Sequence, residues 1–341
     1  MSKKNINLDS VFETAGLLYI SSHFDKVKHD IKTSLKELGL DGEQYYSQNL
    51  NFFDKYIESF TKYRVLIDGS DFFLGETDFN YFLILLSLII ENKNWLSSMD
   101  DLTAEYVNKQ IIRICEEVFD NSSQTDNITT LDNIVNYLDK IGFEASVNWR
   151  LLHIMLSPLK YLSQFANLIN ANINAFYKAI DENRKNIKIV LDQYDIAVIK
   201  QTDNFIKIKD KLSKSSNIYP TLVFPISQMI FENNYYDGVL SRKVLKNEKG
   251  FSYTKDVLLR KIKALGDSSK MEILLSLKEC PKYNLEIAQQ LGLSAATMSH
   301  HMNVLLNCGL VFFEKRDGRV YYHIETECIK EMISDLEMIF L

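Results

Sequence analysis

Residues 284–309 read Asn284-Leu-Glu-Ile-Ala-Gln-Gln-Leu-Gly-Leu-Ser-Ala-Ala-Thr-Met-Ser-His-His-Met-Asn-Val-Leu-Leu-Asn-Cys-Gly309. Asn284 is placed to cap a helix over Leu285–Leu291, and Gly292 supplies the left-handed residue that ends it. Two residues later Ser294 caps a second helix, Ala295–Asn307, closed by Gly309. Ile287, Ala288, Leu291, Leu293, Met298, Met302 and Leu305 recur at helical spacing and form one packing face. Two helices with Gly-Leu-Ser between them make a helix-turn-helix.

The flanks extend this pattern. Upstream, Lys255–Leu265 reads as a helix that ends at Gly266, and Asp267 caps the next, Ser268–Leu277. Downstream, Leu310-Val-Phe-Phe-Glu-Lys-Arg316 and Arg319-Val-Tyr-Tyr-His-Ile324 alternate on either side of Asp317-Gly318, a dipeptide suited to a two-residue hairpin turn. That register places Val311, Phe313, Val320, Tyr322 and Ile324 on one face with Lys315. Arg316 then opposes Arg319 on the other. Like charges directly across a hairpin destabilise it, so the pair suits a phosphate or a minor groove, although two solvated turn arginines are the plainer alternative.

The blocks Ala264–Leu274, Asn284–Ser294, Thr297–Leu305, Cys308–Val311 and Asp317–Tyr322, in this order and spacing, resemble the DNA-binding domain of ArsR-type winged-helix repressors. The resemblance covers about the last 85 residues. It implies a homodimer, a recognition helix in the major groove of a palindromic double-stranded DNA operator, and a wing beside the duplex. With Met298, Met302 and Leu305 turned inward, Ala295, Ala296, Ser299, His300 and Asn303 face outward and are the base-edge candidates. Thr297 and His301 lie on the flank. Lys270, Lys282, Lys315, Arg316 and Arg319 stand at backbone-contact positions. The last helix presents Ile329, Met332, Ile333, Leu336, Ile339 and Phe340 as a stripe for dimerisation, with intradomain packing as its alternative.

Many proteins of this type sense metals, but the residues argue against a metal here. The positions of the family's paired cysteines fall on Tyr283 and Leu285, and the C-terminal helix has no histidine. Soft or borderline metals need several Cys or His donors. Cys308 reads as a packing residue. No cofactor is implied.

The remaining 250 residues carry no phosphate loop, zinc-protease motif or Cys/His cluster, so no catalytic group is assigned and the chain does not read as an enzyme. From Phe24 to about residue 200, apolar residues recur three and four apart, which predicts seven to nine helices. Tyr45, Tyr46, Phe52, Phe53, Tyr56 and Phe60 fall in one of them. Tyr81–Ile90 is too short for a membrane span and predicts a buried core helix. From Tyr219, β-branched and aromatic residues bounded by Pro and by Asn233–Gly238 predict one or two edge strands, followed by a polar linker, Arg242–Gly250.

The expected class is mainly α: a helical N-terminal domain over 1–216, short strands and linker over 217–250, and a winged helix-turn-helix over 251–341. Only 12 glycines and 4 prolines in 341 residues agree with a helical chain, and the 4 scattered cysteines with a reduced, cytoplasmic protein. The net charge of -6 argues against a nonspecific nucleic-acid coat. It divides unevenly, however: residues 251–324 hold ten basic against seven acidic side chains. The reading is a dimeric DNA-binding regulator, in the family's manner a repressor, whose N-terminal domain senses an unknown signal, for which a small-molecule effector is one candidate, or extends the dimer. The alternative is an interaction module whose winged helix no longer binds DNA.

Overall fold

The computed structural model describes residues 8–37, 40–75, 79–119, 130–141, 143–194, 217–231, 234–245, 255–316 and 319–340. The polar stretch 120–127, the Asp317-Gly318 turn and linker residues 246–250 lie outside them. The chain divides into two compact units. One comprises the described residues of Met1–Ile31, Gln44–Ile114 and Thr125–Arg242, and the other those of Lys32–Glu43, Cys115–Gln124 and Lys243–Leu341.

Eleven α-helices precede residue 193 among the described residues, more than the sequence spacing implies: α1 (Ser10–Ser22), α2 (Phe24–Glu37), α3 (Gly42–Asn49), α4 (Asn51–Tyr63), α5 (Ser70–Leu74), α6 (Phe79–Glu91), α7 (Ala104–Phe119), α8 (Leu131–Ile141), α9 (Ala145–Leu156), α10 (Pro158–Glu182) and α11 (Arg184–Asp192). The aromatic run expected in one helix is split at Leu50, whose φ of -111° and ψ of 10° end α3 before α4 begins. Nine consecutive residues of α1, Phe12–Ile20, are buried, as are nearly all of Tyr81–Ile90 in α6. A helix that is apolar on every side belongs in a core. No described helix is long and apolar enough to cross a membrane.

The 25-residue α10 is the spine of this unit, opening on Pro158 at a position where the missing N–H is not needed. It packs against α1, α4, α5 and α9. Its Asn172, fully buried, accepts from the Val65 N–H and donates to the Val65 carbonyl, both at 2.8 Å. An interior amide thereby satisfies a loop backbone that would otherwise be orphaned.

Where the sequence suggests one or two edge strands there are three. These are β1 (Asn217–Thr221), β2 (Gln228–Ile230) and β3 (Asn234–Gly238), in the order β1-β3-β2, with β1 parallel and β2 antiparallel to β3. The polar segment read as a boundary, Asn234–Gly238, is the central and fully buried strand. Its polar groups are tolerated because they are paired: Tyr236 Oη donates to Asp9 at 2.5 Å, and Asp237 accepts from Ser241, Tyr194 and Gln228.

The sheet is integral to the helical unit rather than a passage between domains. Asp9 caps α1 by accepting from the Val11 and Phe12 N–H groups, and Lys93 pairs with it. One turn on, the fully buried Glu13 accepts from Thr221 Oγ1 (2.7 Å), Leu222 N–H (2.9 Å), Val223 N–H (3.2 Å) and Tyr56 Oη (2.9 Å). Burial pushes the Glu13 carboxyl up to about 7, against the opposing pull of these four donors.

The second unit continues with α12 (Ser241–Leu245, which begins in the first), α13 (Lys255–Leu265), α14 (Ser268–Glu279), α15 (Asn284–Leu291), α16 (Ala295–Asn307), the hairpin β4 (Val311–Arg316) and β5 (Arg319–Ile324), and α17 (Thr326–Phe340). The chain is thus mainly α, with a helix-turn-helix and hairpin at its C-terminal end.

Candidate nucleic-acid interface

Ile273, Leu274 and Leu277 of α14, Ile287 and Ala288 of α15, and Met298, Met302 and Leu305 of α16 form one buried cluster with Leu310 and Val311. The three helices converge because each presents apolar side chains at three- and four-residue spacing. Between α15 and α16, Gly292 adopts φ +66°, and its N–H returns to the Ala288 carbonyl. Ser294 Oγ accepts from the Thr297 N–H at 3.1 Å. The cap of α15 sits one residue earlier than the sequence suggests, at Tyr283, whose N–H donates to Glu286 at 3.1 Å while Asn284 is already helical.

An added Cβ at Gly292 meets nothing within 4 Å, so its substitution isolates backbone strain from steric clash. Gly292→Ala is expected to destabilise the C-terminal unit by about 1–2 kcal/mol, read as a lower denaturation midpoint by circular dichroism. An unchanged midpoint would show that the turn relaxes out of the left-handed region.

On α16, His300 and Asn303 are exposed on the side away from Met298 and Met302, while Ser299, about 100° round the helix from Met298, is half-buried on the flank. Ala295 and Ala296 form the first turn. Thr297 is exposed, with its hydroxyl 2.8 Å from that of Ser294. His301 is half-buried; the Asp267 carboxyl is held below its ordinary value chiefly by the Lys270 N–H, then by the Lys270 ammonium, with a smaller contribution from His301.

The lysines depart from expectation. Lys282 Nζ donates to the Ser276 carbonyl (3.0 Å), Ser276 Oγ (2.9 Å), Gln290 (3.2 Å) and Glu279 (3.3 Å). An ammonium has three protons, so this arrangement saturates it and makes Lys282 an internal tie between α14 and α15. Lys270 is also drawn in: its Nζ lies 3.4 Å from Asp267 and its side chain is 13% exposed. Ser276 and Gln290, the partners of Lys282, are ordinary polar residues in the sequence. Only their separation by 14 positions across two helices, known after folding, reveals their use.

The hairpin is antiparallel, with Val311 opposite Ile324, Phe313 opposite Tyr322, and Arg316 opposite Arg319 at the turn end, while Lys315 faces Val320. Lys282 and Tyr322 exchange both backbone hydrogen bonds, at 2.8 and 3.3 Å, which fastens the hairpin to the segment entering α15. Phe312 and His323 stack at 4.8 Å, and His323 Nε2 lies 3.2 Å from Glu314.

The apolar stripe of α17 divides. Ile329 packs against the helix-turn-helix core and Met332 is buried, so these two serve the domain itself and leave the dimerisation set. Leu336 is half-buried, whereas Ile333, Ile339 and Phe340 stay exposed, Phe340 at 77%. They are accompanied by exposed Leu259 and Ile262 on α13, which packs against α17. Among the described residues no three His, Cys, Asp or Glu side chains are grouped as metal ligands would be.

Residues 267–311 match the family model described as bacterial regulatory protein, arsR family. The cadmium resistance transcriptional regulatory protein CadC homolog of Staphylococcus aureus is 34% identical over 73 residues, which cover 21% of this chain and 60% of that protein. The chain thus spans about 60% of the length of this curated relative. No solved structure matches it. The matched segment runs from the cap of α14 to the first residue of the hairpin, and residues 267–311 are an arsR-family helix-turn-helix domain.

Proposed function

We propose that this protein is a sequence-specific DNA-binding transcriptional regulator that acts as a homodimer and represses in the manner of its family, with the N-terminal helical unit as the sensing part. The observation that carries the reading is the division of α16. Met298, Met302 and Leu305 anchor it in the core while His300 and Asn303 face away with half-buried Ser299 beside them, as a helix presented to a major groove requires. Ala295 and Ala296 complete the base-facing set and offer methyl contacts only. Lys315, Arg316 and Arg319 in the hairpin supply the phosphate contacts. Exposed Ile333, Ile339 and Phe340 with Leu259 and Ile262 supply an apolar surface for the second copy.

Ser299→Ala with His300→Ala is expected to change the preferred site in a selection from random DNA while leaving affinity for nonspecific duplex within about threefold, since phosphate contacts dominate the latter. Recovery of the wild-type motif by the variant would refute the assignment of α16 to base reading. One observation favours the alternative, an assembly module without DNA: Lys270 and Lys282 are held within the domain. Failure of the wild-type chain to retain any duplex at low salt would select that alternative.

A further inference from the structure

We propose that Cys308 and Cys328 are a dithiol that closes to an intramolecular disulfide in the presence of a peroxide. Cys308 follows the last turn of α16 and is buried, while Cys328 lies in the first turn of α17 and is half-exposed. Cys328 Sγ is 3.8 Å from the Cys308 carbonyl oxygen, and both residues pack on the same apolar cluster. A carbonyl oxygen stands about 2.4 Å from its own Cα, so the Cys328 sulfur lies within about 6 Å of the Cys308 Cα. A disulfide joins Cα atoms up to about 6.8 Å apart, so closure requires the Cys308 side chain to rotate toward Cys328 and the ends of the two helices to draw closer. Gly309 lies beside the pair. It turns the chain at φ +68°, and Cys328 Sγ lies 3.6 Å from where a Cβ on it would stand, so the sulfur sits against the residue that follows Cys308.

Unequal exposure sets the order of events. The Cys328 thiolate attacks one peroxide oxygen, the O–O bond breaks, and hydroxide leaves and takes up the thiol proton as water. The sulfenic acid of Cys328 is then attacked by the Cys308 sulfur. The S–O bond breaks and a second water leaves with the Cys308 proton. Two thiols are oxidised by two electrons and one peroxide is reduced. Cys328, in the first turn of α17, is the more exposed of the two thiols, which suits it to the initial step. The adjacent Glu327 is engaged by Lys330 at 2.7 Å.

The bond would tie the end of α16 to α17. Resting on the function proposed above, that couples redox state to operator binding, since one helix is assigned to DNA and the other to the second subunit. The full-length chain is treated with hydrogen peroxide, alkylated, digested without reductant and mapped by mass spectrometry. Two of the four cysteines are expected to stop reacting with the alkylating reagent, to appear as a cross-linked pair containing Cys308 and Cys328, and to return with dithiothreitol. Cys280→Ser, which removes the exposed competitor, is expected to keep the cross-link, and Cys328→Ser to abolish it. Over-oxidation of Cys328 beside an unmodified Cys308, or a dominant cross-link through Cys280, overturns the proposal. The wild-type map decides this even if a variant fails to fold. Duplex retention, measured separately on reduced protein, tests the reading of function: its absence faults that reading and leaves a mapped dithiol standing.

Discussion

Replacing Glu13 with alanine is expected to lower the stability of the N-terminal unit by about 4 kcal/mol, a large part of the 5–15 kcal/mol typical of a folded domain. The substitution leaves the Thr221 and Tyr56 hydroxyls and the Leu222 and Val223 N–H groups without their common acceptor, in an interior that water does not reach. Each stranded donor costs about 1–3 kcal/mol, less than additively where hydroxyls can turn elsewhere. Both tryptophans, Trp95 and Trp149, belong to this unit, so the denaturation midpoint by tryptophan fluorescence reports it alone. A shift below 1 kcal/mol would mean that the sheet and α1 are held by apolar contact and that the carboxyl group is incidental.

The same group carries a pH signature of definite sign. Its carboxyl titrates at about 7 in the folded chain, against 4.5 as the ordinary value. Below about 4.5 it is protonated in both states and favours folding. Between 4.5 and 7 the unfolded chain releases the proton while the folded chain keeps it, so stability falls as pH rises through that window and levels above it. The full contribution is about 3 kcal/mol. Glu13→Gln cannot titrate, so its stability deficit relative to wild type should shrink from pH 5 to pH 7.5. A constant gap would show that the four donors keep the carboxylate ionised throughout.

Arg316→Ala with Arg319→Ala is expected to give the largest effect on DNA. The two residues face each other at the turn end of the hairpin, a placement that favours an anion beside them. Each phosphate contact contributes about 0.9 to the slope of log affinity against log salt, so the loss of two in each copy of the proposed dimer flattens that slope by about 3.6. At physiological salt this corresponds to roughly a thousandfold weaker binding. Parallel salt lines for wild type and variant would remove the hairpin from the interface.

Legibility in the sequence followed the presence of a period or a cap. The helix-turn-helix was readable because Gly292, Ser294 and Asp267 each act within three residues of where they stand, and because Met298, Met302 and Leu305 recur at helical spacing. Helix α1 left no such trace: buried on all sides, it has no polar face to set a period. Strand β3 was concealed by its own composition, since Asn-Tyr-Tyr-Asp-Gly reads as a turn until Asp9, Tyr194 and Ser241 are seen to satisfy it. The hydrogen-bond partners of Lys282 are hidden for the opposite reason. A cation in a basic segment suggests solvent or phosphate, and nothing local foretells that Ser276 and Gln290 enclose it.

The Glu13 contact also governs how the protein can be made. Its partners Thr221, Leu222 and Val223 lie 208 to 210 positions further along the chain. On a ribosome, α1 must therefore remain incomplete until nearly the whole N-terminal unit has emerged, a slow closure of the kind that long sequence separation imposes. A nascent chain halted at residue 216, where composition alone would draw the boundary, holds an acidic group without its strand and an apolar helix without its cover. Such a fragment is expected to be less stable than one that continues through β3, which belongs to the same compact unit as α1.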